Sequence, residues 1–260
     1  MDKKIILADN MRIPQYIIKS SLENIGLKLY SYWILKDGYI SSPADITIHI
    51  AYIINGHGSY DDLKVKAGDV LIYGLNEYPI HMKVHEISMF IIDMDFTFFY
   101  SITGLKPCIC QNSIFLDKEN PFYHLGQVLF QCSVQSWIPK IETYIHYIFE
   151  RHRFPIKSNA IERVVIAARE IVMERDFRSI ADDMSVSYRQ LQRDFNSILG
   201  ISLIEYRNIN RFYKAARSLK KNSITEAAHN AGYYDQAHMN REFKKKSGWT
   251  PKQVSIYHYY

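Results

Sequence analysis

The amino-acid sequence predicts an α+β fold, a β-rich N-terminal half followed by an all-α C-terminal half, and three observations carry that expectation. Short β-branched and aromatic runs broken by Gly, Asn and Asp fill the stretch from about Lys28 to about Phe99, and apolar residues recur at three- and four-residue spacing after Pro121. Charge divides the same way: residues 1–150 carry 12 Lys/Arg against 16 Asp/Glu, and residues 151–260 carry 20 against 11. A chain of 260 residues exceeds what one core usually fills, so two domains with separate cores are expected.

The first residues, Met1 to Ser20, mix Lys with apolar side chains but hold no long apolar stretch and no small-residue cleavage site, so no signal peptide is expected. Nowhere does the chain approach the roughly 18 uncharged apolar residues of a membrane-spanning helix. Three cysteines, Cys108, Cys110 and Cys132, are too few for a disulfide framework, and a cytoplasmic protein without a membrane partner is expected.

Strands are read at Ile46–Ile54, stopping at Asn55-Gly56, at Asp69–Tyr73 after Ala67-Gly68, and at Ile87–Phe96. Many short strands separated by turns indicate a sandwich or barrel. Phe122, Leu125, Val128, Leu129 and Cys132 then mark one amphipathic helix, and Ile141, Ile145, Ile148 and Phe149 mark another with Pro139 in its first turn. The periodicity leaves open whether these helices cap the β domain or pair two subunits. The basic, Pro-containing stretch 151–158 reads as a linker, dividing residues 1–150 from residues 159–260.

Beyond the linker, helix-start signals are dense. A Ser, Thr, Asp or Asn followed three residues later by an acidic or amide side chain marks reciprocal capping of a first turn. Asn159 with Glu162, Ser187 with Gln190, Ser202 with Glu205, Ser223 with Glu226 and Thr250 with Gln253 follow that spacing, Ser179 with Asp182 is a weaker instance, and Pro251 suits a first turn. An internal repeat emerges among the segments so marked, one copy at residues 180–195 and the other at 227–243. Each copy has a small residue in its first helix, Ala181 or Ala228, which lets two helices cross closely. A tight turn follows, with Gly232 supplying left-handed backbone in the second copy and Ser185 in the matching place of the first. Then come a cap, Ser187 or Asp235, and an inward apolar pair, Leu191 with Phe195 or Met239 with Phe243. Between the copies, Ser202 to about Lys221 reads as one spacer helix burying Leu203, Tyr206, Ile209, Phe212, Ala216 and Leu219.

The opposite face of each second helix carries Arg189, Gln192 and Arg193 in one copy and Gln236, Asn240 and Arg241 in the other. Arg donates twice to guanine O6/N7, and Gln or Asn pairs with adenine N6/N7, so this set suits the major groove of double-stranded DNA better than a lipid surface. Such residues are individually ordinary on a solvated helix; two copies in a helix-turn-helix frame make base reading the better expectation. A rigid spacer would place the two helices in successive groove turns, roughly 34 Å apart. The run Lys244-Lys245-Lys246 suits phosphate as well as the helix dipole, and Lys245 is taken as the phosphate contact.

Residues from about 159 to 254 resemble the DNA-binding domain of AraC/XylS-type bacterial regulators. Ala228, Ala231-Gly232-Tyr233, Asp235-Gln236, His238, Arg241-Glu242-Phe243, Gly248 and Thr250-Pro251 fall where that family's signature is densest, and the first copy departs from it at Ser185. The resemblance implies that Arg189, Gln192 and Arg193, with Gln236, Ala237 and Arg241, face bases, Ala237 through an apolar contact such as a thymine methyl. It also implies a cupin-like N-terminal β domain that binds a small-molecule effector or mediates homodimerisation, and RNA polymerase as a further partner.

Catalysis is not expected: there is no Gly-rich phosphate loop, no G-x-S-x-G elbow, no H-E-x-x-H and no patterned pair of carboxylates. The alternative is a DNA-associated enzyme whose N-terminal domain is catalytic with Cys108 or Cys110 as nucleophile, although neither sits in a Pro-Cys-His context. Neither a metal nor a cofactor is expected. Cys108 and Cys110 lack a second ligand pair, and His49, His57, His81 and His85 lack an accompanying acidic ligand and a His-x-His spacing.

Overall fold

Eight antiparallel strands build the N-terminal half of the computed structural model, which describes residues 16–60, 63–112, 114–152, 154 and 159–256. Most of the segment read for a signal peptide and most of the expected linker lie outside the described residues. The strands are β1 (Tyr16–Lys19), β2 (Leu27–Leu35), β3 (Gly38–Ser42), β4 (Asp45–Tyr60), β5 (Leu63–Lys66), β6 (Val70–Asn76), β7 (Ile80–Met94) and β8 (Ile114–Phe115). Their order is β1-β2-β7-β4-β6-β8, with β3 also pairing with β7 and β5 with β4.

Two long strands dominate, because β4 and β7 pair from Ile48 opposite Met94 to Tyr60 opposite Met82. Successive side chains alternate between faces, and here both faces are apolar. Tyr30, Ile50, Tyr52, Phe90 and Ile92 pack in one cluster with helical residues, whereas Trp33, Ala51, Ile53, Val65, Leu71, Val84, Met89 and Ile91 pack among themselves. A face that strands alone can bury requires the sheet to curl over on itself. The expected stop at Asn55-Gly56 is therefore not a strand end. β4 runs on through bulges there, with Gly56 at φ +80°, where an added Cβ would lie 2.3 Å from the Glu86 carbonyl oxygen.

The run read as a strand to Phe96 ends at Met94, and Phe96 opens helix α1 (Phe96–Thr103). Short apolar runs fit either element; burial of Phe96, Phe98, Phe99 and Ile102 decides for the helix. Helices α2 (Pro121–Leu129) and α3 (Trp137–His152) cover the same sheet face. The Trp137 ring meets Phe90 and Tyr32 edge-on, and the Tyr52 hydroxyl donates to the Phe122 carbonyl at 3.1 Å. His49, fully buried, stands between Asp93, 2.7 Å from Nδ1, and Asp45, 3.3 Å from Nε2. Asp93 reaches this histidine through the pairing of β4 with β7, and Asp45 stands four residues before it in β4 itself. Among the described residues no cluster of three or more His, Cys, Asp or Glu is arranged to hold a metal, and no helix is long and apolar enough to cross a membrane.

The C-terminal half is helical: α4 (Asn159–Val172), α5 (Phe177–Asp183), α6 (Tyr188–Leu199), α7 (Leu203–Ser218), α8 (Ile224–Asn230), α9 (Gln236–Ser247) and α10 (Pro251–Ile256). Reciprocal capping is complete at Ser223 with Glu226 and at Thr250 with Gln253. Ser187 and Ser202 cap α6 and α7 from one side only. Ser179 is no cap: α5 begins earlier, at Asp176, whose carboxylate accepts from the Arg178 and Ser179 amides. The separate cores expected for the two halves also meet. One buried cluster runs from the sheet through α4, α5 and α6 to Ile209 of α7, and a second gathers Phe212, Ala216, Ala228, Met239, Phe243 and Val254.

Gly126 lies where α2 crosses the sheet, and a Cβ there would approach Val70 Cγ2 to 2.8 Å and the Tyr52 ring to 3.0 Å. Alanine would raise helix propensity by about 1 kcal/mol, but overpacking costs about 1–3 kcal/mol. Gly126→Ala is accordingly expected to lower the urea midpoint despite the better helix former.

Candidate nucleic-acid interface

Each second helix of the repeat is fixed by its turn, its cap and its inward pair. Ser185 at φ +55° and Gly232 at φ +74° both take left-handed backbone, so the first copy accepts a strained serine where the second has the freer glycine. The Ser187 hydroxyl accepts from the Gln190 amide at 3.1 Å, and Asp235 Oδ1 accepts from the His238 amide at 2.6 Å. Leu191, Phe195, Met239 and Phe243 are wholly buried. The helical period then turns the intervening residues outward: Arg189, Gln192, Arg193, Gln236, Ala237 and Arg241 are exposed, and Asn240 is half-buried.

Measured from the caps, Gln192 matches Asn240 and Arg193 matches Arg241, so the two helices present like chemistry at like positions. Arg189, Gln192 and Arg193 line one open depression with Asn196 and Ser197. Arg193 is held from behind. Arg163 of α4 grips the buried Asp194 through Nε at 2.7 Å and Nη2 at 2.6 Å, Asp194 Oδ1 accepts from Gln190 Nε2 at 2.7 Å, and Gln190 Oε1 accepts from Arg193 Nη2. This relay escaped the sequence reading, because Arg163 lies in a different helix. Its only trace was an Asp among the apolar positions of α6.

Lys245 corrects the expectation of a free phosphate contact. Consecutive residues on a helix project about 100° apart, so three lysines in a row cannot share one face. Lys244 is exposed, Lys245 Nζ pairs with Glu205 Oε1 at 2.7 Å beside the Tyr78 ring, and Lys246 is fully buried. Lys246 Nζ pairs with the other oxygen of Glu205 and donates to the Glu77 carbonyl at 3.1 Å, and its own carbonyl accepts from the Ala44 amide at 2.7 Å. Glu205, read as a capping side chain for α7, is thus drawn instead to the lysines of α9. Burial pushes its carboxyl up, but the bonds from Lys245 and Lys246 outweigh that and hold it below the ordinary carboxylate range.

The β domain also meets the end of α6. Gln111 Nε2 donates to the Leu75 carbonyl at 3.2 Å, the Gln111 side chain crowds Gly200, the C-cap of α6, and Cys108 Sγ lies 3.7 Å from the Ser197 carbonyl. Cys110 is buried, which pushes its thiol pKa up, with Cys108 beside it adding to the rise; such a thiol is a poor nucleophile.

Residues 180–255 match a family described as a helix-turn-helix domain. No curated protein sequence matches the chain significantly. Among solved structures, apo ToxT K231A from Vibrio cholerae strain SCE256 aligns with a TM-score of 0.54 at 11% identity, covering 87% of this chain and 97% of that one. Wild-type ToxT from the same strain, bound to an unsaturated fatty acid, aligns with a TM-score of 0.54 at 14% identity over 95% and 97% of the two chains. The protein therefore shares the fold of ToxT, and its residues 180–255 form a helix-turn-helix domain.

Two outcomes are expected. Arg193→Ala and Arg241→Ala should each cost about 1–3 kcal/mol in binding and relax preference at one base pair, measured by competition between operator variants. Glu205→Ala should cost about 3 kcal/mol of stability by stranding the buried Lys246 cation, and Lys246→Met added to it should recover much of that loss in chemical denaturation. Because the folded Glu205 carboxyl titrates below its unfolded value, the pair contributes at neutral pH and is lost as pH falls through the depressed value.

Proposed function

We propose that the protein is an effector-controlled, cytoplasmic regulator that reads a bipartite operator, with α6 in one major-groove turn and α9 in the next. Arg189, Gln192 and Arg193 read one half-site, and Gln236, Ala237, Asn240 and Arg241 read the other, with Lys244 rather than the ion-paired Lys245 beside a phosphate. One observation carries this reading: two helices expose matched Gln/Asn and Arg positions from equivalent caps while a single helix, α7, packs against both. Residues 1–150 then serve as regulatory and dimerisation domain, 151–158 as linker and 159–260 as DNA-binding domain, with RNA polymerase and a second copy of the chain as further partners.

For the effector, an apolar carboxylic acid of the kind held by ToxT is the class we favour. At the domain junction Lys245 and Lys246 share one internal carboxylate, Glu205. An incoming carboxylate has two ammonium groups to compete for there, and displacing Glu205 would loosen the hold of the β domain on α9.

Selection of bound duplexes from random DNA should return two sequence blocks whose centres lie about 10 base pairs apart, and inserting half a turn between them should abolish tight binding. Recovery of one short block alone would contradict the bipartite reading. Adding an unsaturated fatty acid should change operator affinity in a gel-shift titration. Indifference to it would remove that effector class without touching the two-block result.

A further inference from the structure

The two helix-turn-helix units differ by one residue. From the small alanine of the first helix to the cap of the second, one unit runs from Ala181 to Ser187 and the other from Ala228 to Asp235. The longer turn passes the left-handed Gly232 and the buried Tyr233 and then presents Tyr234, which is 93% exposed. No other large apolar side chain among the described residues is so open to solvent, and Tyr234 has no hydrogen-bond or ring partner among them.

Its backbone is nevertheless fixed on both sides. The Tyr233 amide donates to the Ala228 carbonyl at 3.0 Å, the Tyr233 ring meets His238 edge-on at 5.3 Å, and the Asp235 carbonyl accepts from the Met239 amide at 3.1 Å. A rigid turn therefore holds out an aromatic side chain for which the fold itself has no use. Lone exposed aromatic residues are common on surfaces and mean little by themselves. The place of this one is informative, because only the cap, Asp235, separates it from Gln236 and Ala237, the first outward residues of α9.

We infer that Tyr234 is a DNA-backbone contact of the second half-site, its phenol donating to a phosphate oxygen while the ring lies along the adjoining sugar. This rests on the reading that α9 enters the major groove. A recognition helix contacts base edges through its N-terminal residues, so the residue just ahead of its cap stands at the lip of the groove, where the phosphates run. A neutral O–H donor also suits the neighbourhood of Asp235, whose carboxylate would draw a Lys or Arg ammonium or guanidinium to itself.

The experiment is a binding titration of the full chain against its selected operator and an unrelated duplex at several salt concentrations, using Tyr234→Phe and Tyr234→Ala with Arg241→Ala as reference. Circular dichroism checks that each variant folds. Tyr234→Phe is expected to weaken binding to both duplexes about tenfold, the loss of one charge-assisted hydrogen bond, and Tyr234→Ala to weaken it further. The slope of affinity against salt should stay unchanged, since no charge is removed. Wild-type affinity in Tyr234→Phe, or a changed preference at a single base pair, overturns the backbone role. If Arg241→Ala also binds as wild type, the docking of α9 has failed as well, and the two failures are told apart.

Discussion

The packing of α7 against both recognition helices is the constraint on which the rest of the molecule depends. Tyr206 of α7 meets Phe195 of α6 edge-on at 5.3 Å, and Phe212, almost two turns further along, meets Phe243 of α9 at 4.7 Å. Each aromatic pair locks the rotation of one recognition helix about its own axis, and that rotation decides which side chains face outward. Because both locks sit on one continuous helix, the two outward faces cannot turn independently. Dense aromatic packing of this kind tolerates little adjustment, so the separation between α6 and α9 is fixed.

A second constraint acts at the far ends of the same helices. The β domain touches α6 near Ser197 and Gly200 and α9 at Lys246, in both cases C-terminal to the exposed Arg193 and Arg241. Leu75, wholly buried and at φ +54°, lies in the segment that supplies both contacts, since its carbonyl receives Gln111 and the nearby Glu77 carbonyl receives Lys246. Left-handed backbone at a leucine costs on the order of 1–3 kcal/mol, and burying a lysine adds to that. Both features sit at the junction between the β domain and the helices, where they give that contact one defined arrangement.

Much of this was legible in the chain. Capping residues, the alanines at the helix crossings, Gly232 and the inward apolar pairs are all local in sequence, and local geometry follows from them through the helical period. The same logic located the outward faces of α6 and α9 without reference to anything distant. It failed where identity and position were both correct but the partner was remote. Glu205 has the spacing of a reciprocal cap, yet it turns to Lys245 and Lys246 some forty residues away because an ammonium group attracts a carboxylate more strongly than a backbone amide does. Phe96 to Phe99 fitted a strand as well as a helix until the sheet face they cover was known.

By itself the sequence determined the repeat, its turns and caps, the chemistry offered to a duplex and the division between a β-rich acidic half and a helical basic half, since these depend on neighbours within a few residues. Only the tertiary structure decided which of three consecutive lysines is free, that Asp194 and Gln190 brace Arg193, that His49 lies between two carboxylates, and that the cores of the two halves meet. Each of these turns on at least one contact between residues far apart in the chain, such as Lys246 with Glu205, Arg163 with Asp194 and His49 with Asp93. Their proximity follows from how strands pair and helices cross, which no local pattern encodes.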